Sequence, residues 1–190
     1  METASDRVRC SWANSNELEA RYHDEEWGTP CHDDRELFER LMLEGFQAGL
    51  SWDTILRKRE NFWKAFEGWD PVRIAAYGPD EHARLLQDAG IIRNRLKVAG
   101  ATKNARAFLA AQREFGSFDA YIWSFTGGGV FEKPRPATSA AVPATSAESD
   151  AMSKALKKRG FTFVGSTICY AFMQSTGMVD DHVPECWRAG

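Results

Sequence analysis

The sequence predicts an all-α domain, on three observations. Apolar residues recur at helical spacing over most of the chain, and no run alternates apolar with polar residues as a half-buried strand does. Helix-starting and helix-stopping residues divide that pattern into segments. At 190 residues, 43% hydrophobic and 27% charged, the chain has an ordinary globular composition and enough length to close one core. A single unit over residues 1–190 is expected.

The elements follow in order. Asp33 and Asp34 can cap a helix whose apolar face runs through Leu37, Phe38, Leu41, Met42 and Phe46. Ser51 opens the next, with Ile55, Leu56, Phe62 and Phe66 inward and Arg57, Lys58, Arg59 and Glu60 outward. "DPVRIAAYG" is a short helix, and Pro79 starts "PDEHARLLQDAG", which Gly90 stops. A long helix covers residues 93–115 and ends at Gly116, after which Ser117 caps "FDAYIWSF". "KPRPATSAAVPATSAESD" is rich in Pro, Ala, Ser and Thr and has no period, so an extended crossing segment or loop is expected over residues 133–149. Helices over about residues 150–159 and 165–176 complete the set.

A net charge of −3 confines any nucleic-acid site to a local basic patch. The opening "METASDRVRC" has no apolar run and is not read as a secretion signal. "GFTFVGSTICYAFMQSTGMV" is uncharged and near the length of a bilayer span, but its threonines, serines and Gln174 make it too polar, and Gly177 stops a helix within it. It is read as a buried helix of a soluble, cytoplasmic protein with no membrane contact.

Without a secretion signal the four cysteines are read as thiols. Cys169 lies in the uncharged stretch as a small core residue. Cys31, in a polar turn beside His32, is either a surface thiol or a competing ligand. Cys10 with His23, and His182 with Cys186, offer two thiolates and two imidazoles, the donor set of a closed tetrahedral zinc site. Each pair alone is a weak signal. Together they would clip the N-terminal arm (residues 1–30) to the C-terminal tail (residues 178–190), and give a reason for "DHVPEC" to carry both residue types where chain ends otherwise fray.

Two further places carry more than packing. "LLQDAGIIRNRLKVAGATKNA" sets a tight turn at Gly90 between two helices, followed by Arg93, Arg95, Lys97 and Lys103. Backbone N–H groups of Gly90, Ile91, Ile92 and Arg93 could face a DNA phosphate there; the commoner alternative is a plain helix corner with a solvated basic face. In "LEGFQAGLSW", Glu44 sits on an apolar helix face, where a carboxylate is costly unless paired or used. Tyr22, Trp27 and Trp52 supply aromatic faces, and Gly45 and Gly49 leave room for something flat. A carboxylate among aromatic rings suits a planar, hydrogen-bonding and cationic ligand such as a nucleobase. The alternative is that the tryptophans are core and Glu44 pairs with an arginine.

"RYHDEEWG", "LEGFQAGLSW", "LLQDAGIIRNRLK" and "SDAMSKALKKRGFTFVGSTICYAFMQSTGMVDDH" together resemble the bacterial 3-methyladenine DNA glycosylase I family, over residues 9–186. The resemblance implies a helix-hairpin-helix glycosylase fold and hydrolysis of the N-glycosidic bond of 3-methyladenine in double-stranded DNA, by a monofunctional, monomeric enzyme without lyase activity. It implies a structural Zn2+ on Cys10, His23, His182 and Cys186. It also implies a base pocket at Glu44, Tyr22 and Trp52, with Trp12 and Trp27 around it. The superfamily's usual catalytic aspartate has no counterpart in "AAQREFG", which is also how this family differs from its relatives. Gly49 and Leu50 are the candidates for filling the gap left by a flipped base. Two other readings stand beside it: a non-catalytic nucleic-acid-binding module of the same fold, and a metal-dependent hydrolase or nuclease, which a closed Cys2His2 site disfavours.

Overall fold

The computed structural model describes residues 7–189; the reading of the opening stretch as no secretion signal rests largely on residues 1–6, outside that range. The first helix, α1 (Glu17–Glu25), was not expected. Its buried residues are Glu19, Tyr22 and His23, so it has no aliphatic stripe for periodicity to register. Asn16 starts it by accepting from the Glu19 N–H. Asp33 caps α2 (Asp34–Gln47) and Ser51 caps α3 (Trp52–Ala65), both at the expected residues.

Asp70 and Pro71 begin α4 (Pro71–Ala75), and α5 (Pro79–Gln87) is followed by a turn through Gly90 into α6 (Arg95–Phe115). The long helix starts at Arg95 rather than residue 93, because the Asn94 side chain accepts from the Leu96 and Lys97 N–H groups and so fixes the start. Ser117 caps α7 (Phe118–Trp123). The crossing segment holds more structure than its composition predicts. It contains a 3-10 turn at Ser139–Ala141, and α8 (Ala147–Lys158) begins inside it, because Ser146 and Ser149 cap one another's backbone N–H groups. The last helix is α9 (Ser166–Ser175).

Among the described residues there is no strand, only one isolated parallel bridge between Phe131 and Val179. None of the helices is long and apolar enough to cross a membrane. α2 lies at the centre, against α3, α6, α7 and α9. Its Leu37, Phe38, Leu41 and Phe46 are almost fully buried, beside Phe62, Phe66 and Trp69. Each such side chain contributes about 1.5–3 kcal/mol by leaving water. The same packing fixes the rotation of α2, and thereby the direction in which Glu44 points.

Candidate active site

Glu44 is carried on the last turn of α2, and Tyr22 on the second turn of α1. Together with Trp12, Trp27 and Trp52 they wall a cavity of about 340 Å3, closed on the far side by Gln174, Asp181, Ser139 and Val142. Tyr22 and Trp52 lie with ring centroids 5.2 Å apart, tilted by 46°. Trp12 and Trp27 meet edge to face at 5.2 Å. The Trp52 indole N–H is buried without an acceptor among the described residues, an uncommon state for a buried donor. The tryptophans therefore border a space rather than fill it.

Glu44 is 5% exposed, and among the described residues it forms no ion pair. Arg40, one turn earlier, instead donates to the Ser175 carbonyl and lies 3.6 Å from Glu36. Burial pushes the Glu44 carboxyl up to about 8, and the nearby Ser175 hydroxyl and Arg40 charge offset only part of that. The same burial, with Glu44 beside it, raises Tyr22 as well. An arginine partner for Glu44, the plain alternative in the sequence, is absent from the described residues.

The back of this cavity is a second cluster. Donor atoms of Cys10, His23 and Cys186 lie within 4.8 Å of one another, and His23 Nε2 is 3.3 Å from Cys186 Sγ. The His182 ring stands 5.2 Å from the His23 ring, and its Nε2 is buried with no hydrogen-bond partner. Both imidazoles use Nδ1 on a carboxylate: His23 on Asp24 at 2.9 Å and His182 on Asp180 at 2.8 Å. That arrangement leaves Nε2 as the free lone pair, as in metal-bound histidines. Burial works against ionisation of Asp24, but hydrogen bonds from Arg9, His23 and Trp187 overcome it and hold the carboxyl well below its ordinary range. Burial lowers His23, favouring the neutral ring, and raises the Cys10 thiol to about 11. Cys10, His23 and Cys186 bring three soft donors together, while His182, expected as the fourth, is outside that group though its Nε2 is orphaned beside it; the donor types suit a zinc ion. Gly28 is fixed by this packing, since a Cβ there would lie 2.5 Å from His182 Cε1 at a φ of +74°.

A model of the methyladenine glycosylase family matches residues 12–189. The chain belongs to this family. DNA-3-methyladenine glycosylase 1 of Escherichia coli (strain K12) is 49% identical over 181 residues, covering 94% of this chain and 95% of that protein. A crystal structure of 3-methyladenine DNA glycosylase I matches with TM-score 0.91 at 49% identity, over 95% of this chain and 98% of that one. The Staphylococcus aureus enzyme, whose structure addresses 3-methyladenine recognition, gives a TM-score of 0.91 at 29% identity, over 96% of both chains.

Other residues of this family member fall differently from their sequence expectation. Lys97 does not join the exposed Arg93, Arg95 and Lys103; it is 8% exposed and donates to the Phe46 and Ala48 carbonyls, both at 2.8 Å. It satisfies the end of α2 instead of facing a phosphate. At the turn, the Gly90 N–H is taken by Asp88 Oδ1 at 2.7 Å and the Ile91 N–H by the Asp88 carbonyl. The Ile92 and Arg93 N–H groups have no partner among the described residues. A Cβ on Gly90 would crowd Asp88 and Asn61, 2.9 and 3.1 Å away, which is a steric reason for glycine there. Gly49, at φ +83°, and the exposed Leu50 form the tip between α2 and α3. Cys31 is buried, with its thiol on Glu36 at 3.6 Å and away from the Cys10 cluster, so it is neither a surface thiol nor a competing ligand. Gln174 and Asp181 line the cavity and were not foreseen, because nothing local in "MQSTGMVDDH" separates them from a helix end and a capping turn.

Proposed function

We infer that this protein is a DNA-3-methyladenine glycosylase, flipping the damaged base out of double-stranded DNA and hydrolysing its N-glycosidic bond in base excision repair. One observation carries the reading: in a methyladenine glycosylase, a buried carboxyl group without an ionic partner stands in an aromatic cavity of about 340 Å3. That volume is within the roughly 300–1,000 Å3 of small-molecule sites.

Methylation at N3 places a positive charge on the base in DNA. The C1′–N bond then breaks with its electron pair passing to the base, which leaves neutral; water adds to C1′ and releases a proton. The leaving group is activated before it reaches the enzyme, which fits the lack of an aspartate in the "AAQREFG" stretch. What remains for the protein is to select, hold and orient the base. Glu44 accepts hydrogen bonds from the amino edge and complements the charge, so entry of a cationic base favours its ionised form. Tyr22 and Trp52 stack on a cationic ring more strongly than on a neutral one, with Trp12 and Trp27 supporting them.

The turn between α5 and α6 serves as the helix-hairpin-helix element, its open Ile92 and Arg93 N–H groups receiving a backbone phosphate. Gly49 and Leu50 fill the gap in the duplex. Cys10, His23, His182 and Cys186 would hold one structural zinc ion, whose chemistry there is cross-linking. The protein acts as a monomer and in the cytoplasm.

The test is release of free 3-methyladenine from methylated duplex DNA under single-turnover conditions. Losing one charge-assisted hydrogen bond costs on the order of 1.5–3 kcal/mol, so Glu44→Gln should slow excision roughly ten- to a hundred-fold. Trp52→Ala should weaken base binding and excision together. Abolished excision in Glu44→Gln with unchanged base binding would assign Glu44 to proton transfer instead.

A further inference from the structure

The cavity has a second polar wall that recognition through Glu44 leaves unused. Gln174 on α9 and Asp181 beyond it both line the space. Gln174 Nε2 donates to Asp181 Oδ2 at 2.9 Å, and the Tyr170 hydroxyl donates to the same oxygen at 2.8 Å. Lys133 Nζ, from the crossing segment, donates to Asp181 Oδ1. Three donors on one carboxylate, itself 1% exposed, hold Asp181 as an acceptor. An amide donates only through its nitrogen, so Asp181 dictates which way the Gln174 amide faces. Its Oε1 receives no hydrogen bond from any described residue, and the half-buried side chain borders the cavity.

We propose that Gln174, oriented by Asp181, reads the exocyclic group of the base, accepting a hydrogen bond from an amino group and rejecting a carbonyl in its place. The proposal rests on the glycosylase reading above. 3-Methyladenine and 3-methylguanine share the charge and the methyl group; at C6 one carries –NH2 and the other C=O, and the guanine adds N1–H and a 2-amino group. Stacking on Tyr22 and Trp52 cannot separate them. Glu44 favours the amino group when ionised, but a carboxyl group can also take up a proton and donate to a carbonyl. Gln174 Oε1 has no such latitude. A carbonyl set against it leaves two acceptors facing each other without a proton, a mismatch that polar sites reject strongly.

The experiment uses duplex DNA methylated to carry both bases and measures release of each by wild type, Gln174→Met and Asp181→Asn. In Gln174→Met, 3-methyladenine release is expected to fall roughly 3- to 10-fold while 3-methylguanine release holds or rises, narrowing the ratio. Asp181→Asn should narrow it too, although Gln174 is intact, because an asparagine amide can donate to Oε1 and let the glutamine turn. The ratio is read within one sample and comes only from folded molecules, so partial misfolding of a variant does not alter it. An unchanged ratio in Gln174→Met overturns the proposal while leaving the glycosylase reading in place. Narrowing in Gln174→Met but not in Asp181→Asn overturns the part assigned to Asp181. Release of neither base by wild type overturns the glycosylase reading and the proposal with it.

Discussion

A carboxyl group that is 5% exposed and pushed up to about 8 opposes folding whenever it ionises. The unfolded chain releases this proton near its ordinary value of 4.5, whereas the folded chain keeps it until about 8. Between those values the folded state binds more protons, so stability from this group falls as pH rises, and the whole penalty is present above 8. Glu44→Gln removes it. The variant should melt at the same temperature as wild type near pH 4.5 and higher than wild type near pH 9, by about 2–4 °C for each kcal/mol relieved. Melting curves across that range give the answer, and a constant difference would mean that the carboxyl is paired or wet. Such a group raises the cost of an empty pocket and lowers the cost of one filled by a cation, a trade in which stability is given up for selectivity.

At the scale of elements, the most consequential contact is the one Lys97 makes between α6 and the end of α2. Its ammonium occupies the Phe46 and Ala48 carbonyls, two of the acceptors that a helix C-terminus leaves open. These lie between Glu44 and the Gly49–Leu50 tip, so one side chain ties α6 to the turn proposed to enter the duplex. Lys58 adds a second tie, donating from α3 to the Ala89 and Gly90 carbonyls. Lys97→Met should lower the melting temperature and slow single-turnover excision more than it weakens binding of free 3-methyladenine, because the tip is displaced while the pocket stays formed. Equal losses in both measurements would show that α2 itself has shifted. Burial lowers the Lys97 pKa, and its two carbonyl contacts supply the hydrogen bonds that make a buried ammonium tolerable.

Across the whole molecule, the helices legible in the sequence were those with an aliphatic stripe and a capping side chain, as at Asp33, Ser51 and Ser117. α1 was not, since Tyr22 and His23 are buried by the cavity and the cysteine cluster rather than by a helix partner's apolar face. The start of α8 was hidden because Ser146 and Ser149 read as loop composition until they cap each other. Glu44 was legible as a carboxylate out of place. Gln174 and Asp181 were not, because their significance lies in a contact between them and with Lys133 that no spacing encodes. The cluster of Cys10, His23 and Cys186, with His182 beside it, leads to one further expectation. Elemental analysis should find one zinc per chain, and Cys186→Ala should lose the metal and lower the melting temperature by more than about 5 °C. Metal retained in that variant would sink the ligand assignment.

The cavity also has a history during synthesis. Its walls come from Trp12 and Tyr22 early in the chain and from Gln174 and Asp181 late in it, and the contact behind them joins His23 to Cys186 across 163 residues. The pocket has no far wall until α9 and the residues after it have been made. Contacts of such sequence separation close late, after local ones. A growing chain therefore holds the turn between α5 and α6 before it has any place to put a base.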